Sequence, residues 1–228
     1  MTTKIDGLER LVDEQVTKWQ HLKVMQERKE VKFRPVITIS REPGTAGTII
    51  AQKLARALDM DFMSGKIIQQ VAQSAKINEK VVASLDERRI SLREDWLKIL
   101  FDSQHLWPDS FLLHLMRVIS TIGQYGHAII LGRGANFILP LKENFRIRLI
   151  APKSLRIARV MADRSVSRSE AEAYVTRTES DRNAFIMKYF HTDIRDPAHY
   201  DLVIDTSRTG IDGTVEIIKH AYTVWTGR

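Results

Sequence analysis

One short stretch, residues Val36 to Ile50, constrains the fold of this 228-residue chain more than any other. It reads V-I-T-I-S-R-E-P-G-T-A-G-T-I-I. The β-branched residues Val36, Ile37 and Ile39 predict a buried strand, and the apolar spacing of Ile49–Leu58 predicts an amphipathic helix. A turn with two glycines joins them. The stretch therefore predicts a strand–turn–helix unit, the building block of α/β folds.

The turn between this strand and helix favours anion binding. The first amides of a helix have no internal acceptor, its dipole attracts negative charge, and Gly44 and Gly47 allow close backbone approach. The strict phosphate-loop pattern G-x-x-x-x-G-K-[ST] is absent, because Thr48 rather than lysine follows Gly47, and Ala46 replaces an expected glycine. The turn is thus either a phosphate cradle or an ordinary βα connection. In the first case, the neighbouring Arg41 can supply the missing positive charge.

The rest of the chain predicts strands that alternate with helices. Further strands are predicted at Asp59–Phe62 (a strand or a turn), His127–Leu131, Phe145–Ala151 and Leu202–Ile204. Helices are predicted at Ile5–Val31, Gly65–Ser74 (capped by Ser64), Asn78–Arg89, Ser91–Gln104, Asp109–Tyr125 and Lys153–Asp163, from Ser167 or Ser169 to Phe190, and at Gly210–Trp225. For the long helix, Ser169 and Glu172 offer a capping box. This alternation predicts an α/β fold with a parallel sheet and helices on both faces.

The domain organisation follows from the same pattern. Residues 1–34 form an N-terminal amphipathic helix, which packs on the domain or on a second subunit and so offers a homodimer contact. Residues 35–228 form one α/β domain. Within it, 64–126 is a helical insertion and about 164–198 is a polar helical region.

Composition excludes several classes of protein. The chain has no cysteine, its histidines show no metal-site spacing, and no apolar run reaches membrane-spanning length. We therefore expect a cytoplasmic protein that does not bind membranes. The net charge of +7 admits nucleic acid or a small polyanion. Because arginines are interleaved with acids in residues 133–208, we expect a polyanion pocket and no nucleic-acid partner.

Two places offer arginines to such a polyanion. Arg133 follows the predicted strand His127–Leu131, at the edge of an open sheet where ligands bind, or is simply a solvated turn residue. Along the long helix, a polar stripe contains Asp181 and Arg182. This stripe either closes over phosphates or is a solvated face with pairs such as Arg177–Asp181.

In this order, the motifs resemble the cytidylate-kinase-like family of P-loop nucleoside monophosphate kinases. The resemblance runs from Val36 to the C-terminus. It is carried by I-S-R-E-P-G-T-A-G at residues 39–47, I-L-G-R-G-A-N at 130–136, R-N-A-F at 182–185 and D-P-A-H-Y-D-L-V-I-D-T-S at 196–207.

The resemblance implies transfer of the γ-phosphoryl group of ATP to a nucleoside monophosphate, with CMP or dCMP as the expected acceptor and Mg²⁺ as cofactor. It implies a loop that holds the nucleotide β-phosphate, formed by Gly44, Thr45, Ala46, Gly47 and Thr48, with Thr45 or Thr48 offering a hydroxyl to Mg²⁺. Arg133 would meet the acceptor phosphate. Arg177 and Arg182 would come from a lid, and either Asp181 or Glu179 would orient the acceptor or the lid.

The chain departs from this family at the loop. Relatives carry Gly-Gly-Arg or Gly-Lys where this chain has Ala46-Gly47-Thr48, and an aspartate where it has Ser64. Loss of a phosphate-binding cation weakens transition-state stabilisation. Two main hypotheses follow: an active nucleoside monophosphate kinase, or a catalytically degenerate nucleotide-binding regulator that dimerises through its N-terminal helix. A different small-molecule kinase with the same cradle is a third.

Overall fold

A computed structural model describes residues 14–22, 24–25, 28, 34–68 and 109–227 of the chain. The helices predicted at Asn78–Arg89 and Ser91–Gln104 lie outside these residues. So do most of the predicted helix Gly65–Ser74 and both ends of the helix predicted at Ile5–Val31. Contacts within the chain separate two compact units, Pro35–Ser64 with Ala128–Arg228, and Met1–Arg34 with Gly65–His127.

The first unit contains a five-stranded parallel sheet. Its strands are β1 (Val36–Arg41), β2 (Asp61–Ser64), β3 (Ala128–Leu131), β4 (Asn144–Ile150) and β5 (Leu202–Asp205). They are ordered β2-β3-β1-β4-β5, so β1 is central, and Ile39 pairs with Leu131 on one side and Ile147 on the other. The α/β fold predicted from the sequence, a parallel sheet flanked by helices, is confirmed.

Helices lie between these strands in the chain and after the last one. They are α1 (Gly47–Leu58), α2 (Asp109–Tyr125), α3 (Ala135–Ile138), α4 (Lys153–Arg164), α5 (Arg168–Phe190) and α6 (Thr206–Trp225), with short 3-10 helices at Leu141–Glu143 and Pro197–His199. The predicted bounds of α2 are confirmed. The α6 helix begins four residues earlier than predicted, and Gly210 interrupts it with φ +64° and ψ −172°.

Alternate residues of β1 point to opposite faces of the sheet. Ile37 and Ile39 pack into the main core together with Ile50 and Leu54 of α1. Complete burial of each such side chain contributes about 1.5–3 kcal/mol. The intervening residues are polar, and Thr38 donates a hydrogen bond to Asn144 Oδ1 at 2.7 Å. One face of the sheet thus holds the apolar core, and the other carries buried polar groups.

The described part of the second unit contains α2 and a helix at residues 14–22. Trp19 is only 4% exposed, and its ring stacks on Tyr125 with centroids 5.3 Å apart and planes 4° apart. The N-terminal helix therefore buries its largest apolar side chain within its own chain. No helix in the described ranges is long and apolar enough to cross a membrane.

Strand β2 lies two residues later than the predicted Asp59–Phe62. Asp59 is instead the left-handed C-cap of α1, with φ +51° and its amide bonded to carbonyls of the last turn. Ser64 is the last residue of β2 and directly precedes helical residues 65–68, the position predicted for it. The helix ends at Leu58 as predicted, but its cap and the next residue separate it from the strand, so the strand begins later.

The capping box of α5 was predicted at the wrong residues, Ser169 and Glu172. Ser167 is the N-cap, its hydroxyl accepts from the Glu170 amide at 3.3 Å, and the Glu170 carboxylate accepts from the Ser167 amide at 2.9 Å. Both spacings satisfy the sequence pattern, but only Ser167 has the extended backbone that a cap requires.

We expect Ser167→Ala to lower the free energy of unfolding by about 1 kcal/mol, because it removes this cap. Ser169→Ala lies inside the helix and should leave stability nearly unchanged. Urea denaturation of both variants makes the comparison. Equal losses would contradict the assignment of the cap.

Candidate phosphate-binding site

The turn between β1 and α1 is tight and closely packed. Gly44 has φ +82°, and a Cβ atom there would lie 2.5 Å from the carbonyl oxygen of Arg156. Thr45 is buried, and its hydroxyl donates to the Glu42 carbonyl at 2.9 Å. Ala46 has φ +58° and no side-chain cap bond, so α1 starts without a capping side chain. The first amides of α1 are therefore left to solvent or to a bound anion.

The backbone of this turn keeps the spacing of the phosphate-loop pattern. When Thr48 is placed on the serine/threonine of G-x-x-x-x-G-K-[ST], Arg41 falls on the first glycine and Gly47 on the lysine. Ala46 falls on the second glycine and adopts the left-handed conformation that glycine favours. The turn thus has the form of the pattern without its lysine.

The side chain of Arg41 occupies the space beside the missing lysine. A Cβ atom on Gly47 would lie 2.9 Å from Arg41 Cγ, and one on Gly132 would overlap Arg41 Nη1. The side chain therefore runs past the start of α1, and its guanidinium group ends at the turn after β3. The side chain of Arg41 fits here because residues 47 and 132 are glycines without a Cβ atom.

Three guanidinium groups meet at this end of the sheet. Arg182 of α5 donates from Nη1 to the Arg41 carbonyl at 2.6 Å. Burial, and then the charges of Arg182 and Arg133, lower the pKa of Arg41 to about 9. Burial also lowers the pKa of Arg182. Among the described residues, no carboxylate forms an ion pair with Arg41. The positive charge of this site is therefore available to a bound anion.

A buried ion-pair network joins the turn to α4 and α5. Arg156 Nε lies 3.2 Å from Glu42 Oε2 and donates to the Ala151 carbonyl at 2.8 Å. Arg156 Nη1 lies 2.8 Å from Glu179 Oε1, an ion pair whose angle is not that of a hydrogen bond. From the same helix, Arg159 donates to the Gly44 carbonyl at 3.3 Å. The position of α5 over the turn is thereby fixed.

The other arginines predicted from the sequence have different surroundings. Arg133 is exposed with φ +60°, and a Cβ atom on the next residue, Gly134, would lie 2.7 Å from Phe190 of α5. Arg177 and Asp181 lie on the outer face of α5, with side chains 86% and 71% exposed and 3.9 Å apart. The structure therefore brings Arg41, Arg133 and Arg182 together, and leaves Arg177 with Asp181 at the surface.

Sequence reasoning missed several charged residues of this region: Glu42, Arg148, Arg156 and Arg195. One signal was available for Arg148: arginines alternate with apolar residues in β4, which places Arg148 on the face opposite Ile147 and Leu149. Its Nη1 donates to Ser40 Oγ at 3.1 Å. The partners of Arg156 lie 114 positions before it and 23 after it, and no local pattern predicts them.

Of the two hydroxyls predicted to reach Mg²⁺, that of Thr45 is already used within the turn. Thr48 lies in the first turn of α1 and is exposed. The described residues contain no group of three acidic, histidine or cysteine side chains suited to a metal ion. A hydroxyl that shares Mg²⁺ with phosphate oxygens and water fits this sparse donor set.

The fold and the turn together define a phosphate-loop type of α/β protein. The model of the cytidylate kinase-like family matches residues 36–208. A cytidylate kinase of Methanopyrus kandleri is 29% identical over 196 residues, covering 82% of this chain and 92% of that protein. One of Saccharolobus islandicus is 26% identical over 184 residues, covering 80% and 88%.

A solved structure has a similar fold. An uncharacterized protein from Eubacterium ventriosum superposes with a TM-score of 0.67 at 18% identity, over 84% of this chain and 99% of that one. The chain belongs to the cytidylate kinase-like family. Membership of this family supports nucleotide kinase activity.

Proposed function

We propose that the protein transfers the γ-phosphoryl group of ATP to a nucleoside monophosphate, with CMP or dCMP as the acceptor. The observation that carries this proposal is the Arg41 side chain, which crosses the start of α1 where the loop lysine is missing. The family of the chain and the names of its relatives support the choice of acceptor.

Phosphoryl transfer needs in-line positioning and positive charge more than covalent help from the protein. An acceptor phosphate oxygen attacks the γ-phosphorus, and the bond to the β,γ-bridging oxygen breaks to release ADP. The amides of residues 44–48 hold the β-phosphate. Arg41 and Arg182 balance the charge on the transferred group, and Arg133 meets the acceptor phosphate. The hydroxyl of Thr48, together with water, would hold Mg²⁺, and the bound ion would neutralise charge on phosphate oxygens.

The region around α5, about residues 164–198, acts as a lid in this proposal. Glu179 is the acid that orients the lid, because it contacts Arg156 at 2.8 Å, whereas Asp181 is exposed. Arg177 and Asp181 approach the phosphates only if the lid moves. The insertion 64–126 carries the acceptor site, the helix within residues 1–34 provides a homodimer contact, and the protein works in the cytoplasm without nucleic acid.

Turnover with defined acceptors tests the proposed activity. ADP release would be measured with Mg-ATP and CMP, dCMP, UMP or AMP, and we expect the cytidine nucleotides to react fastest. The same assay without acceptor is the control for ATP hydrolysis. Background rates with every acceptor would end the proposal of an active kinase.

A regulatory role on the same scaffold is the second candidate, because Gly47 and Thr48 leave the loop without its lysine. Calorimetry that detects ATP and CMP binding in the absence of transfer would support this role. Restoring the lysine at its place in the pattern, by the double substitution Arg41→Gly with Gly47→Lys, would then raise the rate above that of the wild type. Equal turnover in the wild type and this variant argues against a degenerate site.

A further inference from the structure

A cavity of about 210 Å³ lies between the end of β1, the middle of β4, α5 and residues 194–195. Its charged lining residues are Arg41, Glu42, Arg148, Glu179, Arg182 and Arg195. Four arginines thus face two glutamates, which leaves an excess of two positive charges. An enclosed excess of this kind favours a doubly charged anion.

One arginine from outside the cavity contacts both glutamates and offsets part of their charge. Arg156 does not line it, yet it contacts Glu42 at 3.2 Å and Glu179 at 2.8 Å. Arg195 pairs with its own acid, Asp193, through its Nε and Nη2 atoms. Arg148 and Arg182 therefore remain to contact a ligand, and Arg41, whose guanidinium lies at the turn after β3, is the third positive charge nearby.

Arg148 is the most deeply placed of these three. Its side chain is 6% exposed, and its nearest carboxylate atom, Glu42 Oε1, is 3.8 Å away, beyond hydrogen-bonding distance. Its Nη1 bonds the neutral hydroxyl of Ser40. Its Cζ atom also lies over the Tyr200 ring, 5.6 Å from the ring centroid. A buried guanidinium with no described carboxylate within hydrogen-bonding distance is still costly unless a ligand completes its hydrogen bonds.

We propose that this cavity is a subsite for a phosphoryl dianion, with Arg148 as a direct contact. Tetrahedral phosphate oxygens suit guanidinium groups that arrive from two different elements, here β4 and α5. The proposed kinase activity assigns no role to Arg148, so this inference goes beyond it. The dianion is either free inorganic phosphate or the phosphate group of a bound nucleotide.

Anion-dependent stability of the full chain tests the subsite. The melting temperature would be followed with phosphate, sulfate or chloride at equal ionic strength. We expect phosphate and sulfate, but not chloride, to raise it in the wild type. In Arg148→Met, the apparent phosphate affinity should fall about 10–100-fold, the loss expected for hydrogen bonds to a charged group.

Arg146→Met is the matched control. Arg146 lies two residues earlier on β4 and on the same face, but its guanidinium pairs with Asp201 at 2.7 Å and does not line the cavity. Its variant should keep the phosphate response. If Arg148→Met does not fold, Arg148→Lys replaces it, since it keeps the charge while losing the planar donors, and its phosphate affinity should fall less.

Competition identifies the source of the dianion. Displacement of phosphate by CMP assigns the subsite to a nucleotide phosphate, and additive stabilisation by both assigns it to free phosphate. Equal phosphate responses in the wild type and the Arg148 variants would overturn the proposal, as would a chloride response equal to that of phosphate. If no ADP is released while phosphate still stabilises the protein through Arg148, only the kinase proposal is rejected and the subsite remains.

Discussion

Arg41→Met should nearly abolish phosphoryl transfer while making the ligand-free protein more stable. The rate should fall about 100- to 1000-fold, as for loss of one preorganised charge at a transition state. Stability should rise by about 1–3 kcal/mol, because methionine removes a buried charge that has like-charged neighbours. Kinetics with Mg-ATP and CMP, together with urea denaturation, measure both changes in one variant.

Arg56→Met is the control for this substitution. Arg56 is exposed in the last turn of α1, at the end of the helix away from the site. Its loss should leave the rate unchanged and lower stability slightly, because a cation is favourable at a helix C-terminus. An Arg41 variant that lost activity and stability together would indicate a structural role instead.

Exchange of two residues tests whether Arg41 replaces the loop lysine. Gly47→Lys alone should be inactive, because its Cβ would lie 2.9 Å from Arg41 Cγ. The double variant Arg41→Gly with Gly47→Lys removes this clash and restores the lysine of the phosphate-loop pattern. Recovery of turnover in the double variant alone is expected. Full activity in the single variant would show that Arg41 does not occupy the lysine's place.

The pKa of Arg41 predicts how its effect on stability depends on pH. Its folded-state pKa of about 9 lies well below the ordinary value for arginine, so the unfolded chain binds more protons between these two values. The charged guanidinium of Arg41 therefore destabilises the folded protein fully below pH 9, and this destabilisation decreases above pH 9. The stability difference between Arg41→Met and the wild type should be constant from pH 7 to about 8.5 and then narrow. Urea denaturation of both proteins, from pH 7 to values above the pKa of Arg41, measures this difference in stability. A difference that widened at high pH would contradict the assignment.

The parallel sheet could be predicted from the sequence because its signals are local. Val36, Ile37 and Ile39 form a β-branched run, and the helices between strands have their own apolar periodicity. The turn after β1 could also be predicted, because glycines mark it. Errors arose where two local patterns competed, as with the overlapping capping boxes that start at Ser167 and Ser169.

The charged network could not be predicted, because its partners are distant in sequence. Glu42 and Arg148 are 106 positions apart, and only the pairing of β1 with β4 brings them within 3.8 Å. The family resemblance placed Arg177 and Arg182 together in a lid, but it does not tell which face of α5 meets the turn. Packing decides this, so Arg182 bonds the Arg41 carbonyl while Arg177 stays exposed.

Gly44→Ala should destabilise the protein by about 2–5 kcal/mol, from the strain of a left-handed residue plus overpacking. Gly44 has φ +82°, and the added methyl would lie 2.5 Å from the Arg156 carbonyl oxygen, a backbone atom that cannot rotate away. Because the same turn holds the proposed β-phosphate, ATP binding should weaken as well. Urea denaturation and ATP calorimetry measure the two effects.

Gly213→Ala separates this effect from that of any added methyl group. Gly213 lies within α6, where a Cβ atom would be 3.6 Å from Thr209, an ordinary contact. Alanine there should stabilise the helix by about 0.5–1 kcal/mol and leave ATP binding unchanged. If both alanines were tolerated equally, the turn would have to be wider than the structure shows. The amides of residues 44–48 would then not be held in place for a phosphate, and the main-chain part of the proposed site would fail.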